Sequence, residues 1–170
     1  METITMELIP LLQKEMEQEA STTRKMLSRV PSDKLDWQPH PKSMPLGKLA
    51  AHVAELPGWV AMVLATDELD FQNNPYVPEP VKSTEDILAY FEKSLKIGRE
   101  ALDNADINQF ADEWVLRSGD QIYSRDTKYE VIRMSYCQIV HHRAQLGVYL
   151  RLLDIPIPGS YGPSADDVSF

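Results

Sequence analysis

A chain of 170 residues, 43% hydrophobic and 25% charged, has the size and balance of one soluble domain that can bury a core without disulfides or a structural metal. Its formal net charge of −9 opposes a phosphate backbone, no apolar run approaches the ~18 residues of a membrane span, and the single cysteine, Cys137, excludes an intrachain disulfide. We therefore expect a cytoplasmic protein with no nucleic-acid or membrane partner, and we read the opening METITMELIP, acidic and without an apolar stretch, as carrying no secretory leader.

Prolines gather at 31–45, 75–80 and 156–163, and the stretches between them have helical periodicity. The first helix is expected over about 3–28. Leu8, Leu12, Met16, Thr23 and Met26 or Leu27 recur on one face, Lys14, Glu15, Glu17 and Gln18 lie on the other, and Pro10 bends the first turns. The segment VPSDKLDWQPHPKS follows as a loop, with His40 at an exposed position that needs no special role.

The second helix is expected over 44–66, with Ser43 as N-cap and Pro45 in the first turn. Leu49, His52, Leu56, Trp59 and Val63 form its seam, and Pro57 should kink it by removing one backbone bond. After the loop DELDFQNNPYVPEPVKS, a third helix over 83–103 opens with a Ser83–Asp86 cap and presents Leu88, Phe91, Leu95, Gly98 and Leu102. The link 104–125 reads as irregular, with Phe110, Trp114 and at most a short extended piece. Thr127 and Glu130 form a capping box for a fourth helix over 127–153. Its inward candidates are Val131, Ser135, Gln138, His142, Gln145 or Leu146, Tyr149 and Leu153. An extended tail, 154–170, closes the chain. The fold class is all-α, one four-helix bundle domain over 1–170.

The histidines are the residues that can carry chemistry. His52 lies on a seam, where it is either a core imidazole satisfied by a carboxylate or carbonyl, or a ligand. His141 and His142 are rotated by about 100° from each other on a helix, so only one points inward. The seam count selects His142. Two imidazoles from different helices can meet on a divalent ion, but a third protein ligand is normally needed, and the residue one turn before His142 is Gln138. Glu55, one turn after His52, either accepts an imidazole N–H or is an exposed helix residue. Trp59 and Tyr149 wall a pocket or simply pack. Arg143 is read as pairing with an acidic residue of another helix, which would set the register of the fourth helix.

The stretches LGKLAAHVAELPGW and HHRAQLGVYLRLLDIPIPGSYGPSAD resemble the DinB-like superfamily, also described as DinB/YfiT-like metal-dependent hydrolases, over essentially the whole chain. The resemblance implies an up-down-down-up bundle and a zinc or nickel ion on three histidines, one from the second helix and two from the fourth, spaced H-x-x-x-H. Carried over by residue, the ligand positions are His52, Gln138 and His142, so the middle histidine is absent here. Gln138 then ligates weakly through its oxygen, is bridged by water, or leaves the site empty. His141 is the fallback ligand, while Cys137 points about 100° away from Gln138. An ion at that place would acidify a bound water, the candidate nucleophile, and would deprotonate a bound thiol, in keeping with the thiol-transferase activity of some relatives.

The expected function is accordingly a metal-dependent hydrolase or thiol transferase acting on a small-molecule substrate. The alternative is a non-catalytic small-molecule-binding or interaction module on the same scaffold. A homodimer, formed through one helix face, is expected in either case.

Overall fold

The computed structural model describes residues 7–168, so the part of the first helix expected before Glu7 lies outside the described residues. The described residues form five α-helices: α1 Leu8–Leu27, α2 Leu46–Glu55, α3 Trp59–Ala65, α4 Thr84–Asp103 and α5 Lys128–Leu152. Three strands accompany them: β1 Glu68–Asp70, β2 Glu113–Ser118 and β3 Gln121–Thr127. None of the described helices is long and apolar enough to cross a membrane.

The second expected helix is divided where its proline demanded. Leu56–Gly58 form a 3₁₀ turn between α2 and α3, because Pro57 has no N–H to continue the ladder. The turn is held from two sides. The Ser135 hydroxyl of α5 donates to the Leu56 carbonyl at 3.0 Å, and α4 packs so closely that a Cβ on Gly98 would overlap the Pro57 carbonyl oxygen. The start of α2 differs from expectation: Pro45 precedes the helix in an extended conformation, and no side chain caps it. Instead the preceding loop folds back, and the amides of Leu46 and Gly47 donate to the carbonyls of Trp37 and Leu35, each at 2.8 Å. Those contacts satisfy two of the orphan donors that Ser43 was expected to serve.

Local caps elsewhere form as the residues require. The Ser83 side chain accepts from the Asp86 amide at the start of α4, and Thr127 with Glu130 completes a capping box on α5. Pro10 falls in the first turn of α1, where its missing N–H has no partner to lose. Around the bundle, α4 packs on α1 and on α2–α3, and α5 closes the ring against the same three helices. Leu12, Leu49, Phe91, Leu95, Leu146 and Leu150 are among the side chains buried where they meet.

The fold is not purely all-α. Within the link read as irregular, β2 and β3 form an antiparallel hairpin turned at Gly119, whose φ of 56° suits glycine. β1, in the loop after α3, runs parallel to β2, giving a three-stranded sheet of order β1-β2-β3. Trp114 anchors the sheet on the bundle: it is buried, and its indole N–H donates to the Thr66 hydroxyl at 3.0 Å. Asp70, also buried, accepts from the amides of Gln72 and Gly119 at 3.0 and 2.9 Å, so one carboxylate ties β1 to the hairpin turn. The strands carry little alternation of apolar and polar residues, and for that reason the sequence pattern did not reveal them.

On α5 the buried stripe runs through Ile132, Tyr136, Ile139, Arg143, Leu146 and Leu150. Val131, Ser135 and Leu146 are buried as expected, but from Ile139 onward the stripe turns away from the expected positions, so Gln138, His142 and Tyr149 lie half-buried along its flank and Gln145 is exposed. Arg143 takes the inward position. Its guanidinium donates to Glu19 and Thr23 of α1 and to the Tyr161 hydroxyl, which in turn donates to Glu19 at 2.7 Å. The tail after α5 is thereby tied to the interior, aided by the Arg151–Asp166 pair.

Candidate functional site

The small side chains of α2, Ala50, Ala51 and Ala54, are buried against neighbouring helices, and His52 lies half-buried beside them. Glu55 follows one turn later on the same side. It is buried, not exposed, and its Oε1 lies 2.6 Å from His52 Nδ1. With the carboxylate accepting, Nδ1 carries a proton, and in the neutral ring the lone pair is then on Nε2. Trp59 of α3 presents its ring edge-on to the imidazole, centroids 6.2 Å apart.

His142 repeats this arrangement from α5. Its Nδ1 lies 2.8 Å from Oε1 of Gln145, again three residues on, so this ring too keeps its lone pair on Nε2. Burial holds the His142 pKa below the ordinary histidine value, His52 and His141 push it the same way, and the Gln145 hydrogen bond opposes them. A neutral imidazole able to accept a proton or bind a metal is the result near pH 7. The two rings meet: the centroids of His52 and His142 are 4.6 Å apart with an interplanar angle of 74°.

The other expected ligands behave differently. His141 is exposed and touches the ring of His142, centroids 4.8 Å apart. Gln138 is half-buried one turn before His142, with its Nε2 donating to the Met134 sulfur at 3.9 Å, a weak bond. Cys137 is a free, exposed thiol. Among the described residues no three His, Cys, Asp or Glu side chains are grouped to hold a metal ion. Two imidazoles sharing a tetrahedral ion through nitrogen bonds of about 2.0–2.1 Å have ring centres roughly 5 Å apart, a separation close to the 4.6 Å between His52 and His142.

Sequence reasoning missed Gln145 as the partner of His142 and two further partners of Glu55. Tyr76, from the loop between β1 and α4, donates from its hydroxyl to Glu55 at 3.1 and 3.2 Å, and Tyr90 of α4 donates to it at 3.3 Å. No local signal marks either tyrosine, because both act on a carboxylate from another element.

This fold and the paired imidazoles can be set beside known proteins. A sequence profile of the DinB family matches residues 1–168. The chain belongs to the DinB family. A search of curated proteins finds no match. Among solved structures, a DinB-like protein from Bacillus cereus ATCC 10987 superposes with a TM-score of 0.65 at 18% identity, covering 87% of this chain and 94% of that one. A DinB-family member from Exiguobacterium sibiricum 255-15 gives 0.64 at 19% identity over 88% and 94%. A mycothiol-dependent maleylpyruvate isomerase gives 0.59 at 14% identity, over 86% of this DinB-family chain and 64% of the isomerase. At these identities the likeness establishes the fold alone.

Proposed function

We propose that this DinB-family chain acts on a small molecule through the His52–His142 pair, as a metal-dependent hydrolase or thiol transferase. His52 and His142 would hold the divalent ion, zinc or nickel, with Gln138 as the third protein donor. An amide oxygen binds such ions less firmly than imidazole, so the site is weaker than one built of three histidines. The observation that carries the reading is the 4.6 Å approach of two rings from separate helices, each fixed at Nδ1 so that Nε2 is left to act. An ion bound there supplies Lewis acidity and lowers the pKa of a thiol or water. The same fold serves a thiol-dependent enzyme in the maleylpyruvate isomerase. In this chain Glu55 orients His52, Gln145 orients His142, and Trp59 shields one side of the pair.

Metal analysis of protein purified without a nickel column tests the proposal. Metal that is present in the wild type, or taken up on zinc loading, and lost in His52→Ala and His142→Ala but kept in His141→Ala supports it; protein that takes up no metal under any loading overturns it.

The Gln138–Met134 contact favours a second reading, a small-molecule-binding or interaction module that has kept the scaffold without catalysis. In either reading we take the protein to be a cytoplasmic homodimer with a small-molecule ligand and no nucleic-acid partner, a stoichiometry that sedimentation equilibrium would check.

A further inference from the structure

Glu55 has more partners than the fixing of one imidazole requires. His52 Nδ1 donates to Oε1, the Tyr76 hydroxyl reaches both oxygens, and the Tyr90 hydroxyl reaches Oε2. These donors come from three places in the fold: α2, the loop between β1 and α4, and α4. Burial, followed by the facing Glu55 charge, pushes the Tyr90 pKa up to about 12 and raises that of Tyr76 as well. Both phenols therefore keep their protons and face the carboxylate as donors. Tyr76 is 53% exposed, yet its hydroxyl finds a carboxylate in a residue that is only 8% exposed.

The torsion that turns a glutamate carboxylate is broad, so a carboxylate with a single partner swings readily. With both oxygens engaged it has one orientation. We propose that Tyr76 and Tyr90 are positioning residues that clamp the Glu55 carboxylate, and through it hold His52 as the Nδ1–H tautomer with its Nε2 lone pair available. This rests on the reading of His52 as a working imidazole. One member of the clamp sits on a loop, so the seating of that loop and the state of His52 are coupled.

Long-range ¹H–¹⁵N spectra of the metal-free full chain, at one pH above the imidazole range, read the tautomer directly. The wild type is expected to give His52 one protonated-type and one lone-pair-type nitrogen. In Tyr76→Phe/Tyr90→Phe the two His52 shifts move toward each other as tautomers mix, while His142, held by Gln145, is unchanged. Tyr76→Phe alone, a change at an exposed loop residue, gives the smaller shift in the same direction and stands in if the double variant does not fold. An unchanged split of the His52 nitrogens in these variants overturns the proposal. Competition against a chelator supplies the second arm, with zinc as probe. The double variant is expected to bind about tenfold more weakly, the low end for groups that orient a ligating histidine. A wild type that binds no zinc removes the metal reading and leaves the spectra to decide the clamp.

Discussion

The guanidinium of Arg143 lies 2.6 Å from the Glu19 carboxylate, between α5 and α1, with side-chain exposures of 3% and 11%. Removing one partner strands the other charge in the interior. Arg143→Ala is expected to cost about 3–5 kcal/mol. Urea denaturation followed by circular dichroism measures it, and a loss below about 1 kcal/mol would place the pair with ordinary surface bridges.

Gly98 allows α4 to rest on the Pro57 turn. A methyl group there would meet the Pro57 carbonyl oxygen, backbone that cannot swing aside, whereas at Gly162 nothing lies within 4 Å. Gly98→Ala is expected to destabilise by about 1–3 kcal/mol through overpacking, and Gly162→Ala to leave stability near the wild-type value. Thermal unfolding of the two variants decides it; equal melting points would mean that α4 does not depend on this approach.

The Asp70 carboxyl is held below the ordinary aspartate range, first by the Gly119 amide and further by the Gln72 amide, Arg117 and Asn73, against the opposing effect of burial. A depressed native pKa makes its contribution to stability complete above the unfolded value of 3.8 and lost as pH falls through the native value. The wild type should lose stability on going from about pH 5 to about pH 2, and Asp70→Asn should lose less over that interval. Parallel slopes for the two proteins in denaturation would count against this role.

Gln138 stands one turn before His142, at the spacing where a second imidazole on the same helix would share an ion. Gln138→His is therefore expected to tighten zinc binding at least about tenfold. Competition with a chromophoric chelator gives the number. No gain would show that position 138 does not face the His52–His142 pair.

Much of the fold was readable from local signals. The caps at Ser83 and Thr127, the break at Pro57 and the seam Phe91, Leu95, Gly98 and Leu102 each depend on neighbours within a turn or two. The sheet was not readable. β1 has three residues, and β3, QIYSRDT, is mostly polar; such strands exist through their pairing, which is a relation between distant segments. Of the candidate site, His52 and His142 were named from spacing and family motif. Their partners at Nδ1 were only half visible, because Glu55 read slightly better as an exposed helix residue and Gln145 carried no sign of its bond to His142.

Helix positions, the capped starts of α4 and α5 and the residue types able to bind a metal were written into the chain itself, since periodicity, caps and proline chemistry act over a few residues. The side of α5 that turns inward was settled only by the tertiary structure. The seam count selects His142 and reads Arg143 as the partner of an acid on another helix; Arg143 takes the inward position, a step of about 100° from His142, because Glu19, Thr23 and Tyr161 arrive from α1 and the tail to satisfy it. That rotation sets His142 on the flank of the bundle, where it meets His52, while the packing of α4 and the β1–α4 loop on α2 brings Tyr90 and Tyr76 onto the Glu55 carboxylate.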